Sequence, residues 1–256
     1  MTDINIAQKD NVLILTLCRA EKKNALTRQM YLDMANAIHY AQKDDHTLAI
    51  LIQGSEGCFT AGNDLSDFVA ASQQEDTEVA ETEQFMLALM QCTLPVVAKV
   101  EGLAIGIGTT LLLHCDFVYA RDDAQFMMPF INLGLVPEYA SSYLVPKLVG
   151  HARAAEWLML GEGFSAQDAY TAGLVNRVLP ASELDDKVNQ VLAKLVTKPK
   201  MALLQTKQLL KHDQHVVSEH MYSELKLFVN AMRSDAAKEA FSAFLEKRQP
   251  DLRRFA

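Results

Sequence analysis

Basic charge is scarce in this chain: 24 Lys and Arg stand against 32 Asp and Glu, a formal net charge of −8. A nucleic-acid binder needs a basic face to neutralise phosphates, so no nucleic-acid partner is expected. Cysteine is sparse too. Cys18, Cys58, Cys92 and Cys115 form no C-x-x-C and keep no ligand-like spacing with histidine, which excludes a zinc knuckle or a disulfide framework and reads as reduced thiols. No repeat or low-complexity tract is visible. The longest near-apolar run, residues 102–113, is too short to span a bilayer, so no membrane partner is expected. The first residues lack a basic stretch followed by an apolar one, and the final Arg253-Arg254-Phe255-Ala256 is not a peroxisomal address. A cytoplasmic protein is the expectation. What remains is half hydrophobic and 22% charged over 256 residues, enough for one large domain or two small ones.

Periodicity gives an alternating pattern. Residues 11–17 (NVLILTL) read as a strand, and Thr27 opens a helix with Met30, Met34, Ile38 and Ala41 on one face. Residues 48–52, wholly apolar, suggest a strand buried on both sides. An acidic stretch with Asp67, Glu75, Asp76, Glu78, Glu81 and Glu83 reads as a cover or solvated helix. Strands follow at 95–100 and 117–120, separated by a turn at 102–108 and an apolar helix at 109–114. Helices then dominate, near 152–160 and 165–172. Ser165 with Asp168 forms a capping box, Gly173 stands at a C-terminal cap, and Ser182 with Asp185 repeats the box before residues 188–195. After Pro199 the chain is helical, near 201–211, 221–232 and 236–248. The reading is an α/β layer structure in two parts, 1–198 and 199–256.

Chemistry concentrates in two glycine-flanked turns. Phe59-Thr60-Ala61-Gly62-Asn63-Asp64-Leu65 and Gly106-Ile107-Gly108 each follow an apolar run. Two backbone N–H groups aimed at one point hold an oxygen that becomes negative, and they carry no proton to lose. Glycine lets a substrate approach them closely. Either turn alone is common in proteins. Gly106-x-Gly108-Thr109-Thr110 lacks the third glycine of a dinucleotide fingerprint, so a nucleotide-cofactor reading fails.

In combination the motifs are specific. Lys23-Asn24-Ala25-Leu26, the 59–65 turn, residues 100–108 (VEGLAIGIG), His114-Cys115-Asp116, Leu133-Gly134-Leu135-Val136-Pro137 and residues 165–175 (SAQDAYTAGLV) closely resemble the enoyl-CoA hydratase/isomerase (crotonase) family. The resemblance runs in one order from about residue 10 to Phe244-Leu245-Glu246-Lys247-Arg248. It implies a crotonase-type spiral of repeated ββα units, a C-terminal helical trimerisation module, and a homotrimer or dimer of trimers. It also implies an acyl-CoA substrate, with no metal or redox cofactor because coenzyme A is part of the substrate. By that resemblance Ala61 and Ile107 supply oxyanion-hole N–H groups. Lys23, Ala25, Gly62, Asn63, Asp64, Leu65, Gly106, Phe130, Phe244 and Lys247 line the bound thioester. In an otherwise acidic chain, Lys22, Lys23 and Lys247 read either as cations for its phosphates or as exposed solubilising lysines.

Departures from the family pattern narrow the reaction. Members that hydrate a double bond use two glutamates, whose places are taken here by Thr110 and Phe130. One carboxylate stands nearby, Glu138 in Pro137-Glu138-Tyr139-Ala140-Ser141-Ser142, a pattern resembling the branch that isomerises 3-enoyl-CoA to 2-enoyl-CoA. By that resemblance Glu138 is the single base. Its plain alternative is a cap on the first turn of a helix over 139–148. Other readings are an isomerase of a ring-bearing CoA thioester, an enoyl-CoA hydratase, or a CoA-thioester-binding protein with little turnover. His114 and Trp157 read as core, Asp116 as a helix-end hydrogen-bonding group, Cys58 as a small thiol, and Asp64 as a brace for its own loop. Met86, Met90, Met127 and Met128 read as core or as the wall of an acyl tunnel.

Overall fold

Among the described residues six strands make the main sheet, in the order β1-β2-β3-β4-β6-β9. They are β1 (Ile4–Lys9), β2 (Val12–Leu17), β3 (Ala49–Gly54), β4 (Val96–Val100), β6 (Phe117–Arg121) and β9 (Arg177–Leu179). Only β1–β2 is antiparallel; every later pair is parallel. A second sheet joins three-residue strands β5 (Leu103–Ile105), β7 (Gln125–Met127) and β8 (Gly163–Ser165). The computed structural model describes residues 3–66 and 79–255, so Asp67, Glu75, Asp76 and Glu78 of the acidic stretch lie outside the described residues.

The helices are α1 (Arg28–Lys43), α2 (Ala80–Met90), the short α3 (Ile107–Thr110), α4 (Ser141–Val149), α5 (His151–Ala155), α6 (Ala166–Thr171), α7 (Ala181–Val196), α8 (Lys200–Leu210), α9 (Gln214–Met232) and α10 (Asp235–Leu245). The main sheet's inner strands β2, β3 and β4 are buried on both faces, as their continuous apolar runs require, while edge strand β1 leaves Asn5, Ile6, Gln8 and Lys9 exposed. Leu15, Ile50, Ile52, Val96 and Ala98 face one core with Met30, Met34 and Ile38 of α1. Leu51, Val97 and Tyr119 face a smaller one closed by Leu184, Val188, Leu192 and Leu195 of α7.

Local signals place several boundaries. Thr27 caps α1, its side chain accepting from Met30 N–H, and the Ser165/Asp168 box is complete at α6. The box expected at Ser182 does not form. α7 starts two residues earlier than such a cap would place it, at Ala181 after Pro180, which puts Ser182 inside the first turn. The turn expected over 102–108 contains strand β5, bonded alongside the 59–65 segment through Thr60 N–H to Leu103 O at 2.8 Å and Ile105 N–H to Thr60 O at 3.1 Å.

The helices beyond residue 198 are not a detached layer. Val217, Met221, Phe228, Met232, Ala237 and Phe241 belong to the main core. Lys207 of α8 is buried, donates to Leu94 O at 2.6 Å, and pairs with Asp116 at 2.6 Å. Among the described residues no helix is long and apolar enough to cross a membrane.

Candidate active site

The loop between β2 and α1 is built around Asn24. Fully buried in a left-handed conformation (φ 55°), it satisfies its side chain four ways. Its amide donates to Ser55 O and Cys58 O, while its oxygen accepts from Arg19 N–H and from the Ser55 hydroxyl. Its own carbonyl accepts from Thr60 Oγ1 at 2.7 Å, which ties the 59–65 turn to this loop. Arg19 adds a second tie, donating to Ala25 O at 2.7 Å and pairing with Asp64 at 2.9 Å. Burial pushes the Asp64 carboxyl up, but hydrogen bonds from Arg19 and Ser66 outweigh it and hold the group below its ordinary value. Asp64 therefore braces its loop. The Tyr31 hydroxyl donates to the Asn63 side chain. The bracing roles of Asn24, Arg19 and Tyr31 are not legible in the sequence, because the partners that define them, Ser55, Cys58, Asp64 and Asn63, lie 31 to 45 residues away.

Two glycines bring the turns together. A Cβ on Gly62 (φ +89°) would lie 2.6 Å from Ile105 O, and one on Gly108 would lie 2.5 Å from Thr60 Cγ2. Ile107 is the first residue of α3, where an N–H has no helical acceptor, and the helix dipole there favours negative charge. The expectation for Ala61 is corrected: its N–H donates to Lys23 O at 2.9 Å and is not available to a ligand. Gly62 N–H goes to Thr60 Oγ1 and Asp64 N–H to Leu26 O. Among the described residues, Asn63 N–H is the one from 61–64 with no acceptor. The turn that faces residues 105–108 thus offers the N–H of Asn63, two residues beyond the expected one.

Glu138 sits at the far end of α3. Its carboxylate accepts from Thr110 Oγ1 at 2.5 Å, and the residue is 2% exposed. Burial pushes its pKa up to about 8; the Thr110 hydroxyl works against this and the carboxylate of Glu224 adds to it. The alternative as a helix cap is excluded by geometry, because α4 begins at Ser141 with Ala140 as its cap. Phe130, where a hydratase carries its second glutamate, is buried and meets Phe228 edge-on at 6.2 Å between ring centroids.

The remaining candidates divide. Lys22 and Lys23 are exposed beside the 59–65 turn, and Gly106 (φ +58°) approaches Phe130. Phe244 and Lys247 stand exposed at the end of α10, and no hydrogen bond or ion pair among the described residues joins them to residues 61–65. Trp157 stacks on Phe164 in the core. His114 is buried, stacks on Tyr139 at 3.8 Å and meets Tyr139 O through Nε2 at 2.9 Å. Burial, helped by the charge of Lys211, drives its pKa down to about 3, so it is a neutral packing group. Asp116 accepts from Val96 N–H at 2.8 Å. Cys58 contacts Lys23 O through Sγ at 3.6 Å. Met86, Met90 and Met128 are core; Met127 is half-buried.

The family model described as enoyl-CoA hydratase/isomerase matches residues 7–254. The chain belongs to the enoyl-CoA hydratase/isomerase family. Within that family it is 34% identical to the Rattus norvegicus protein named enoyl-CoA delta isomerase 2, over 87% of this chain but 59% of that longer one. It is 31% identical to the Escherichia coli protein named 2,3-dehydroadipyl-CoA hydratase, over 99% of both. A crystal structure of an enoyl-CoA hydratase/isomerase from Pseudoalteromonas atlantica superposes with a TM-score of 0.90 at 36% identity, covering 97% of this chain and 99% of that one. The fold is accordingly the crotonase fold of this family, with its C-terminal helical module, and the enzyme acts on CoA thioesters.

Proposed function

We propose that this enoyl-CoA hydratase/isomerase is an isomerase that moves a carbon–carbon double bond from the 3 to the 2 position of an enoyl-CoA. The observation that carries the reading is Glu138, one buried carboxylate held by Thr110, beside positions 110 and 130 that hold no carboxylate. The thioester oxygen of a 3-enoyl-CoA accepts from the N–H groups of Asn63 and Ile107. Ionised Glu138 removes a C2 proton, and the electron pair spreads over a dienolate whose negative oxygen those donors stabilise; losing one such donor costs ~3–4 kcal/mol of barrier. Protonated Glu138 then returns the proton at C4, and the double bond is left between C2 and C3. A carboxylate with a raised pKa is both a better base and a group that holds its proton between the two steps.

In this reading the adenine end of CoA lies against residues 61–65, with Lys22 and Lys23 near its phosphates. Phe244 and Lys247 add contacts from the C-terminal helices of an adjoining copy in a trimer. Hydration needs two acid–base groups on one water. The hydratase relative in Escherichia coli keeps that reaction as the competing outcome. The test is a 3-enoyl-CoA assay of the wild type beside Glu138→Gln. Isomerisation by the wild type and loss of on the order of 1000-fold or more in the variant are expected, as for removal of an essential acid–base group. Equal rates, or rapid hydration of crotonyl-CoA by the wild type, overturn the reading.

A further inference from the structure

The turn that presents Glu138 is unusual in its backbone. Tyr139 (φ 60°) and Ala140 (φ 58°) are both left-handed, although neither is glycine, and Ser141 N–H closes the turn onto Glu138 O at 3.1 Å. Such conformations cost free energy and persist only where surrounding contacts enforce them. One contact is His114 on Tyr139 O; another is the Tyr139 hydroxyl, which donates to Met86 O at 2.8 Å.

The third comes from α9. Glu224 is 6% exposed and accepts from Ser142 N–H at 3.0 Å and from the Ser142 hydroxyl. Burial pushes the Glu224 carboxyl above its ordinary value, and the hydrogen bonds from Ser142 and the N–H groups of Ala140 and Ser141 work against this without cancelling it. Consecutive N–H groups converging from a left-handed turn into a helix N-terminus form an anion-binding nest, and the carboxylate of Glu224 fills it. Among the described residues its other oxygen has no hydrogen-bond partner, nor has Ser141 Oγ, so the nest and the Ser142 hydroxyl hold the group.

We infer that Glu224 is a positioning residue for Glu138, a buried carboxyl group that holds the strained turn leading from Glu138 into α4 and shapes the charge environment of the base. The inference rests on the reading of Glu138 as the base. Glu224 acts on Glu138 through the backbone it clamps and through its charge, and it touches no reacting atom. Around Glu138 the groups that bear on its charge are Thr110 from α3 and Glu224 from α9. His114, beneath Tyr139, is uncharged, and Lys211 at the end of α8 is spent on His114 O at 3.0 Å. Removing the like charge lowers the pKa of Glu138 and makes it a weaker base.

The test compares pH profiles of 3-enoyl-CoA isomerisation for the wild type, Glu138→Gln, Glu224→Gln and Glu224→Ala. Glu224→Gln keeps an acceptor for Ser142 and loses the charge. Its acidic limb of kcat/KM moves to lower pH and its high-pH plateau of kcat falls, with KM changed less than about twofold because substrate contacts are untouched. Glu224→Ala empties the nest, and kcat falls on the order of 10- to 100-fold as the base loses its position. The inference is overturned if Glu138→Gln is inactive while Glu224→Gln keeps the wild-type limb and plateau. Glu224→Gln decides the matter in this way even if Glu224→Ala does not fold. Full activity of Glu138→Gln instead overturns the base assignment, and with it this inference.

Discussion

Burial that holds Glu138 near a pKa of 8 leaves it mostly protonated at neutral pH. Catalysis by its ionised form is therefore expected to rise from pH 6 to 9, with an acidic limb of kcat/KM near 8; a profile already flat above pH 6 contradicts this. Thr110 tunes the limb. Its hydroxyl favours the charged carboxylate, so Thr110→Val is expected to shift the limb to higher pH and to lower activity at pH 7. Stability runs the other way. The unfolded carboxyl ionises near its ordinary 4.5 and the folded one near 8, so the folded-state preference for the protonated form is present below 4.5 and is lost as pH rises to 8. Glutamine mimics the protonated form and does not titrate. Glu138→Gln is accordingly expected to raise the melting temperature at pH 7 to 8 but not at pH 4, by calorimetry.

At the scale of elements, the site depends on two turns pressed together without room for a methyl group. Gly62→Ala would drive a Cβ to 2.6 Å from Ile105 O in a left-handed backbone. It is expected to cost on the order of 1–3 kcal/mol in denaturant unfolding and to abolish turnover in the surviving folded fraction. Such turns were legible in the sequence because glycine spacing announces them. α1 and α6 were legible through the side chains that cap them, Thr27 and Ser165 with Asp168. Strands β5, β7, β8 and β9 were not, because three residues hold too little of a two-residue period to stand out. Glu138 stood out by motif, but the choice between Ala61 and Asn63 as the N–H donor depended on a hydrogen bond to Lys23 O, a partner that residue order does not reveal. Glu224 lay hidden in a helix whose other glutamate, Glu219, looks no different in sequence.

At the scale of the molecule, the C-terminal helices face two ways. Their inner residues join the core, while Met201, Leu209 and Leu210 of α8, Tyr222 and Leu227 of α9, and Phe244 and Leu245 of α10 are exposed. Scattered apolar residues are ordinary on a surface, but a concentration on one module fits the proposed trimer. Light scattering is expected to give a mass at least three times that of one chain, and Leu209→Glu with Leu210→Glu to reduce it; a monomeric wild type ends the proposal. α9 shows Tyr222 and Leu227 on its outer side and sends Glu224 inward to the turn of Glu138. A helix so placed touches both the exposed apolar surface and the turn of Glu138. If neighbouring copies steady its outer side, then dilution below the dissociation constant of the assembly will slow each active site before anything unfolds. Catalytic output per molecule would then climb with protein concentration, making the abundance of the enzyme a control on its own efficiency.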